Sequence, residues 1–193
     1  MALWGITDAD EAKPKWLTTA QKKEVFANNS GWVVEAGSTQ TGNDNTDAQP
    51  EVLCCVGDLA TGIGAADITE IEFITTAFDK SDGGNIDVRV RFNEQVTVNT
   101  SGGTPTLTIT NDTPSRNLTA TYLSGSTTNE LIFRKTIAAA NAATNADDVL
   151  SIAANAMALA SGTIKDTADG STNATITNSG AIGTAAGTIT VAA

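Results

Sequence analysis

The chain has 193 residues, no histidine, and a formal net charge of −11, from 11 Lys and Arg against 22 Asp and Glu. Without histidine it lacks the commonest general base and the commonest metal ligand of proteins, so we predict a non-enzymatic protein with no catalytic residue, cofactor or metal. The acidic balance argues against nucleic acid and against an anionic membrane surface as partners, because both repel negative charge.

The first 60 residues differ in composition from the rest of the chain. All three tryptophans lie there: Trp4, Trp16 and Trp32. Pro14 cannot stand inside a helix, and it predicts an extended arm. Thr18 and Gln21 have the spacing of a capping box, which predicts that a short helix begins there and covers residues 19–27.

Two strands, residues 32–35 and 51–56, follow this helix and flank a loop that is rich in Gly, Asn, Thr and Asp. This pattern predicts a hairpin with a long exposed loop. Cys54 and Cys55 are adjacent, so they point to opposite faces of the second strand. We therefore predict two reduced thiols and synthesis in a reducing cytoplasm.

Residues 1–60 are too few to bury a core of their own, so we predict a docking module that packs on a neighbour. Residues 1–30 contain four Lys and four Asp or Glu, so the whole net charge of −11 lies in residues 31–193. Six side chains are candidate interface contacts: Trp4, Lys13, Lys15, Trp16, Phe26 and Trp32. A second interpretation is that the tryptophans form a small core beneath the hairpin, and the two are compatible.

Residues 61–67 read as a linker, and residues 68–193 as a single β domain with an uncharged C-terminal strand. Short segments rich in β-formers recur there, separated by clusters of Gly, Asn, Asp, Ser and Pro. The predicted strands are residues 70–78, 86–92, 104–110, 117–123, 130–135, 148–153, 157–165, 173–178 and 187–192. This spacing is typical of an antiparallel β-sandwich.

Residues 86–92 alternate most cleanly between apolar and charged side chains. Ile86, Val88, Val90 and Phe92 are predicted to face the core. The preceding turn holds three carboxylates and an asparagine around two glycines: Asp79, Asp82, Asn85 and Asp87. We interpret this group as turn chemistry, with weak calcium binding as the open alternative.

Five segments of the β domain resemble a bacterial immunoglobulin-like repeat, and they occur in the order of that family. They are 88–96 (VRVRFNEQV), 103–109 (GTPTLTI), 120–127 (ATYLSGST), 131–133 (LIF) and 162–166 (GTIKD). The resemblance covers about residues 68–178 and implies an immunoglobulin-like antiparallel β-sandwich. It departs from the family at residues 134–137, where an aromatic side chain is common. Fold alone does not assign a function.

The opening of the chain also resembles structural proteins of large tailed phages, especially marine ones. The similar segments are residues 3–5 (LWG), 13–17 (KPKWL), 31–33 (GWV) and 51–53 (EVL). The two resemblances imply a virion protein made in the host cytoplasm and placed on the outside of the capsid. Its expected partners are the major capsid protein or neighbouring virion proteins, in a homo-oligomer or a symmetric array.

We therefore expect a capsid decoration protein that binds the head shell and displays, or clamps with, an immunoglobulin-like domain. One alternative is a neck, tail or fibre component. An alternative from another class is an adhesive module that binds a host glycan or surface protein through loops at one end of the sandwich.

Overall fold

The computed structural model describes residues 13–193, and it is mainly β, with 42% of residues in strands and 9% in helices. The thirteen strands of this described range form one connected mixed sheet. None of the helices within residues 13–193 is both long and apolar enough to cross a membrane.

The N-terminal segment, residues 13–63, contains two short helices and three strands. In chain order they are α1 (Thr19–Lys23), β1 (Val25–Asn28), β2 (Gly31–Val34), β3 (Glu51–Cys55) and α2 (Leu59–Gly62). The predicted start of α1 is confirmed, because the Thr18 hydroxyl accepts the Gln21 N–H in a capping box. Its predicted end is wrong: residues 25–27 leave the helix and pair with β2 in a tight hairpin.

Side chains alternate between the two faces of the hairpin formed by β1 and β2. Both faces carry buried side chains. On one face Ala27 lies opposite Trp32, and on the other Phe26 lies opposite Val33. The Trp32 face packs into a small hydrophobic cluster of the N-terminal segment. That cluster consists of Leu17, Val25, Ala27, Trp32, Val34, Leu59, Ala60 and Ile63.

The β domain, residues 66–192, holds the other ten strands and α3 (Gly180–Ala185). The strands are β4 (Ile68–Phe73), β5 (Phe78–Asp79), β6 (Gly84–Asn99), β7 (Thr106–Asn111), β8 (Leu118–Ser124), β9 (Thr128–Ile137), β10 (Val149–Ser151), β11 (Met157–Ala158), β12 (Thr163–Asp166) and β13 (Ile189–Ala192). The strand order runs β3-β2-β1-β6-β9-β8-β7-β10-β13-β5. Outside this path, β4 and β12 pair with β6, and β11 pairs with β7.

Strand β6 organises the molecule, since it pairs with β4, β9, β12 and β1 along its sixteen residues. The predicted alternation is confirmed: Ile86, Val88, Val90 and Phe92 are all buried in the main hydrophobic core. The same strand carries charged residues on its other face, where the N-terminal segment lies.

The two regions are joined by pairing and by packing. Strand β1 pairs in parallel with β6, with Ala27 opposite Glu94. In the predicted linker, Ile63 is buried in the small cluster and Ala66 in the main core. The predicted strand over residues 173–178 is reduced to isolated bridges, at Asn173 and Thr175.

Candidate functional site

Arg91 lies at the centre of a buried ion-pair cluster on β6, and its side chain is only 6% exposed. Flanking strands β4 and β9 present carboxylates to it. The Arg91 Nη1 donates to Glu70 Oε2 at 2.9 Å and to Glu72 Oε2 at 3.4 Å. Its Nε donates to Glu130 Oε1 at 2.6 Å. These charge-assisted bonds offset the cost of removing a guanidinium from water.

The N-terminal segment supplies two further members of this cluster. Glu35, which follows β2, accepts a hydrogen bond from Arg91 Nη2 at 3.0 Å. Lys23 of α1 forms an ion pair with Glu70. Arg89 completes the cluster by pairing with Glu72 and Glu130. Charged groups of the two regions therefore hold the segment at a defined position on β6.

The pKa values of the cluster follow from burial and from the neighbouring charges. Burial raises the pKa of Glu35, the Glu130 carboxylate adds to this, and Arg91 opposes it. Burial would lower the pKa of Arg91, but the surrounding carboxylates raise it above its ordinary value. Burial, followed by repulsion from Arg91, lowers the pKa of Lys13 to about 8. The cluster therefore stabilises Arg91 as a cation more strongly than it stabilises Glu35 as an anion.

The predicted interface residues fall into three groups. Trp16 is 62% exposed and Lys15 is also exposed, so both lie at the surface. Lys13 is partly buried, and its Nζ donates to the Lys22 carbonyl at 2.7 Å. Trp32 and Phe26 are almost completely buried within the chain. The prediction for Trp4 lies outside the described residues.

The burial of Trp32 matches the second interpretation, in which tryptophan forms a small core beneath the hairpin. Phe26 points to the other side of the hairpin, where it lines the same cavity as Glu35 and Arg91. Both aromatic side chains therefore hold the N-terminal segment together and against the β domain, and they do not reach its outer surface.

Strand β3 forms one end of the strand order and pairs only with β2 within the described sheet. Its outer backbone edge therefore carries peptide groups available for another strand. Val52 of this strand is 52% exposed, and Cys55 is an exposed free thiol. We call Lys15, Trp16 and strand β3 the exposed N-terminal features.

Three side chains of the acidic turn, those of Asp79, Asn85 and Asp87, are engaged within the protein. Asp79 Oδ1 accepts the Ser81 N–H at 2.7 Å, as expected of turn chemistry. Asp87 pairs with Arg134, and Asn85 accepts from Thr136. Across the part of the chain that the structure describes, no three Asp, Glu, His or Cys side chains are grouped as a metal site would require.

Comparisons with protein-family models, with curated proteins and with solved structures gave no match. The Arg91 cluster was missed by the sequence reasoning. The signal in the sequence was that Glu70 and Glu72 alternate with apolar residues, as Arg89 and Arg91 do. In the structure the two segments pair, with Glu70 opposite Arg91 and Glu72 opposite Arg89.

Proposed function

We propose that this chain is a non-enzymatic structural protein of a virus particle, a decoration protein that docks on the head shell through its N-terminal segment. In this proposal the β domain is an immunoglobulin-like sandwich that projects from the shell or contacts neighbouring copies. The observation that carries the proposal is the large exposed surface of Trp16 on a segment whose Trp32 is completely buried. Tryptophan is enriched among the residues that dominate protein interfaces.

Two features of the N-terminal segment support docking. Trp16 provides an aromatic anchor beside the cation of Lys15, and the outer edge of β3 offers backbone groups for strand addition. A stable contact needs about 1,000 Å² or more of buried surface, so these features would act with adjacent parts of the shell protein. Symmetry would repeat the same contact around the particle.

The Arg91 cluster supports a rigid connection between docking and display. Because Glu35 and Lys23 pair with groups of the β domain, a docked N-terminal segment would fix the direction in which that domain projects. The net charge of −11 outside residues 1–30 would keep neighbouring β domains from adhering to one another.

The test is binding of the purified chain to heads of the source virus from which this protein has been removed. We expect Trp16→Ala to weaken cosedimentation by about 30-fold, corresponding to about 2 kcal/mol for an interface anchor. The matched control is Leu123→Ala, which removes an exposed apolar side chain from the β domain. This control should bind as the native chain does.

Three outcomes contradict the proposal. The first is that mass spectrometry of purified particles does not detect the chain. The second is equal binding of native chain, Trp16→Ala and Leu123→Ala. The third is that the chain fails to bind heads but binds a host glycan, which would support the adhesive alternative. Trp32→Ala is not a suitable test, because its side chain belongs to the core of the segment.

A further inference from the structure

Glu94 of β6 and Asp166 of β12 form a buried pair of acids, with 0% and 2% of their surfaces exposed. Their carboxyl groups are hydrogen-bonded to each other. Asp166 Oδ1 also accepts the Ala168 N–H at 2.6 Å, whereas no described residue donates to a carboxylate oxygen of Glu94. The proton of the pair therefore resides on Glu94, which donates it to the Asp166 carboxylate.

The surroundings of the pair are negative or neutral. The other charged groups that act most strongly on Glu94 are Asp67, before β4, and Asp169, after β12. A cavity of about 280 Å³ adjoins the pair, and none of the described residues that line it is a cation. The hairpin of β1 and β2 and helix α2 present only neutral residues to this cavity: Ala27, Asn28, Asn29, Ser30 and Ala60. Burial, followed by repulsion from Asp166, raises the pKa of Glu94 to about 9.

The pair lies where the N-terminal segment joins the β domain. Glu94 is opposite Ala27, which is the one residue pair that joins β1 to β6 within the described sheet. Strand β12, which carries Asp166, is paired with β6 over four residues. The hairpin is therefore the more weakly attached of the two elements beside Glu94.

Loss of the shared proton would place two carboxylates side by side in a site without a compensating charge. Because the Glu94 oxygens are buried, water from the cavity reaches them only if one wall moves. We propose that the pair is a pH-sensitive switch, which holds the hairpin of β1 and β2 against β6 while it keeps its proton. When the proton is lost, the hairpin turn at residues 28–30 moves away from β6 and water enters. The proposal is independent of the virion function.

The direction of the effect follows from the two states of Glu94. In the closed state its pKa is about 9, whereas the hydrated carboxyl of the open state returns to its ordinary value of 4.5. Between these values opening releases a proton, so the equilibrium constant for opening increases about tenfold per pH unit. Above about pH 9 both states are deprotonated, and the increase ends.

The first measurement is an NMR titration of the full chain with ¹³C-labelled Asp and Glu carboxyl groups. The Glu94 signal, assigned by its loss in Glu94→Gln, should remain that of a carboxylic acid at neutral pH and should change near pH 9. Asp166→Asn should lower the pKa of Glu94, because it removes the repulsion of a second carboxylate. A native Glu94 signal that changes near pH 4.5 would overturn the proposal.

The second measurement is amide hydrogen exchange at the pairing of β1 with β6, around Ala27 and Glu94. After correction for the intrinsic rate, protection should fall by about 100-fold between about pH 6 and about pH 8. Low concentrations of urea should leave it unchanged, because a local opening exposes little surface. Residues 86–90 should be more protected and more sensitive to urea, since they exchange only on global unfolding. Equal protection and equal urea sensitivity of the two sets would show that no local opening occurs.

The variants assign the pH dependence to the pair. Glu94→Gln is neutral at every pH, so protection around Ala27 should no longer depend on pH. Asp79→Asn is the matched control, because that carboxylate belongs to the acidic turn, and it should retain the full dependence. Circular dichroism of each variant confirms that it is folded. A tenfold loss per pH unit that persists in Glu94→Gln would assign the effect to another group and overturn the proposal.

Discussion

Arg91 and Glu94 lie three residues apart on β6, and both are buried where the N-terminal segment meets the β domain. Arg91 is surrounded by four carboxylates that accept its hydrogen bonds. Glu94 is surrounded by further carboxylates and accepts no hydrogen bond from the described residues. The Arg91 charge is compensated within the chain, whereas Glu94 would be an uncompensated charge if it lost its proton.

This difference indicates two separate roles for buried charge at one interface. A compensated arginine positions the N-terminal segment with groups that the chain itself provides. An acid without a compensating cation destabilises the interface once it loses its proton, and so makes the interface responsive to pH. Changing Arg91, Glu94 or Glu35 separates the two roles.

The largest expected effect is that of Arg91→Met. It leaves Glu35, Glu70 and Glu130 without their shared cation, and breaking a buried pair in this way costs about 3–5 kcal/mol. The free energy of unfolding, measured in urea by circular dichroism, should fall by that amount. The control is Arg134→Met, whose side chain is 38% exposed and pairs with Asp87. It should lose much less, because water replaces an exposed partner. Equal losses would show that the Arg91 cluster contributes no more than a surface pair.

The second prediction concerns the pH dependence of the stability of the chain. Burial, reinforced by Asp166, raises the pKa of Glu94 to about 9 from an ordinary value of 4.5. Between these values the folded chain holds a proton that the unfolded chain has released, so stability falls as pH rises. The melting temperature should therefore decrease from about pH 5.5 to about pH 8.5.

Glu94→Gln should make this pH profile flatter and raise the melting temperature at the alkaline end, because a neutral amide replaces the buried acid. Asp166, whose pKa burial also raises, would retain part of the dependence. A native profile that is already flat would contradict the raised pKa of Glu94.

The smallest effect is expected from Glu35→Gln. Its carboxylate accepts one bond from Arg91 at 3.0 Å and one from Asn129 at 3.4 Å, but three carboxylates remain around Arg91 after the change. Burial raises the pKa of Glu35, so its anion is less stable in the folded chain than in water. We expect a loss of about 1–2 kcal/mol in urea unfolding. A loss as large as that of Arg91→Met would show that this one bond holds the two regions together.

Local features of the structure were predictable where neighbouring residues decide them. The capping box of Thr18 and Gln21 spans one helical turn, so its sequence is sufficient to begin α1. The core face of residues 86–92 follows from the two-residue period of a strand. The sequence did not predict where α1 ends, because Val25 and Phe26 suit both a helix and a strand, and only the partner strand β2 decides between them.

The candidate sites depended on contacts between distant parts of the chain. Arg91 and Glu35 are 56 positions apart, and no local pattern indicates that they meet. Trp16 and Trp32 both belong to the tryptophan-rich opening of the chain, yet Trp16 is exposed and Trp32 is buried. The reason is that the hairpin turns only Trp32 toward α2.

By itself, the sequence determined that this is a mainly β chain, which side of β6 faces the core, and where the negative charge lies. These properties depend on composition and on the two-residue repeat of side chains along a strand. They can be predicted without knowing which distant segments of the chain come into contact. Only the tertiary structure decided that Arg91 is compensated and Glu94 is not. Strand register brings the neighbours of Arg91 and Glu94 from distant segments of the chain. The energy of a buried charge depends on those neighbours.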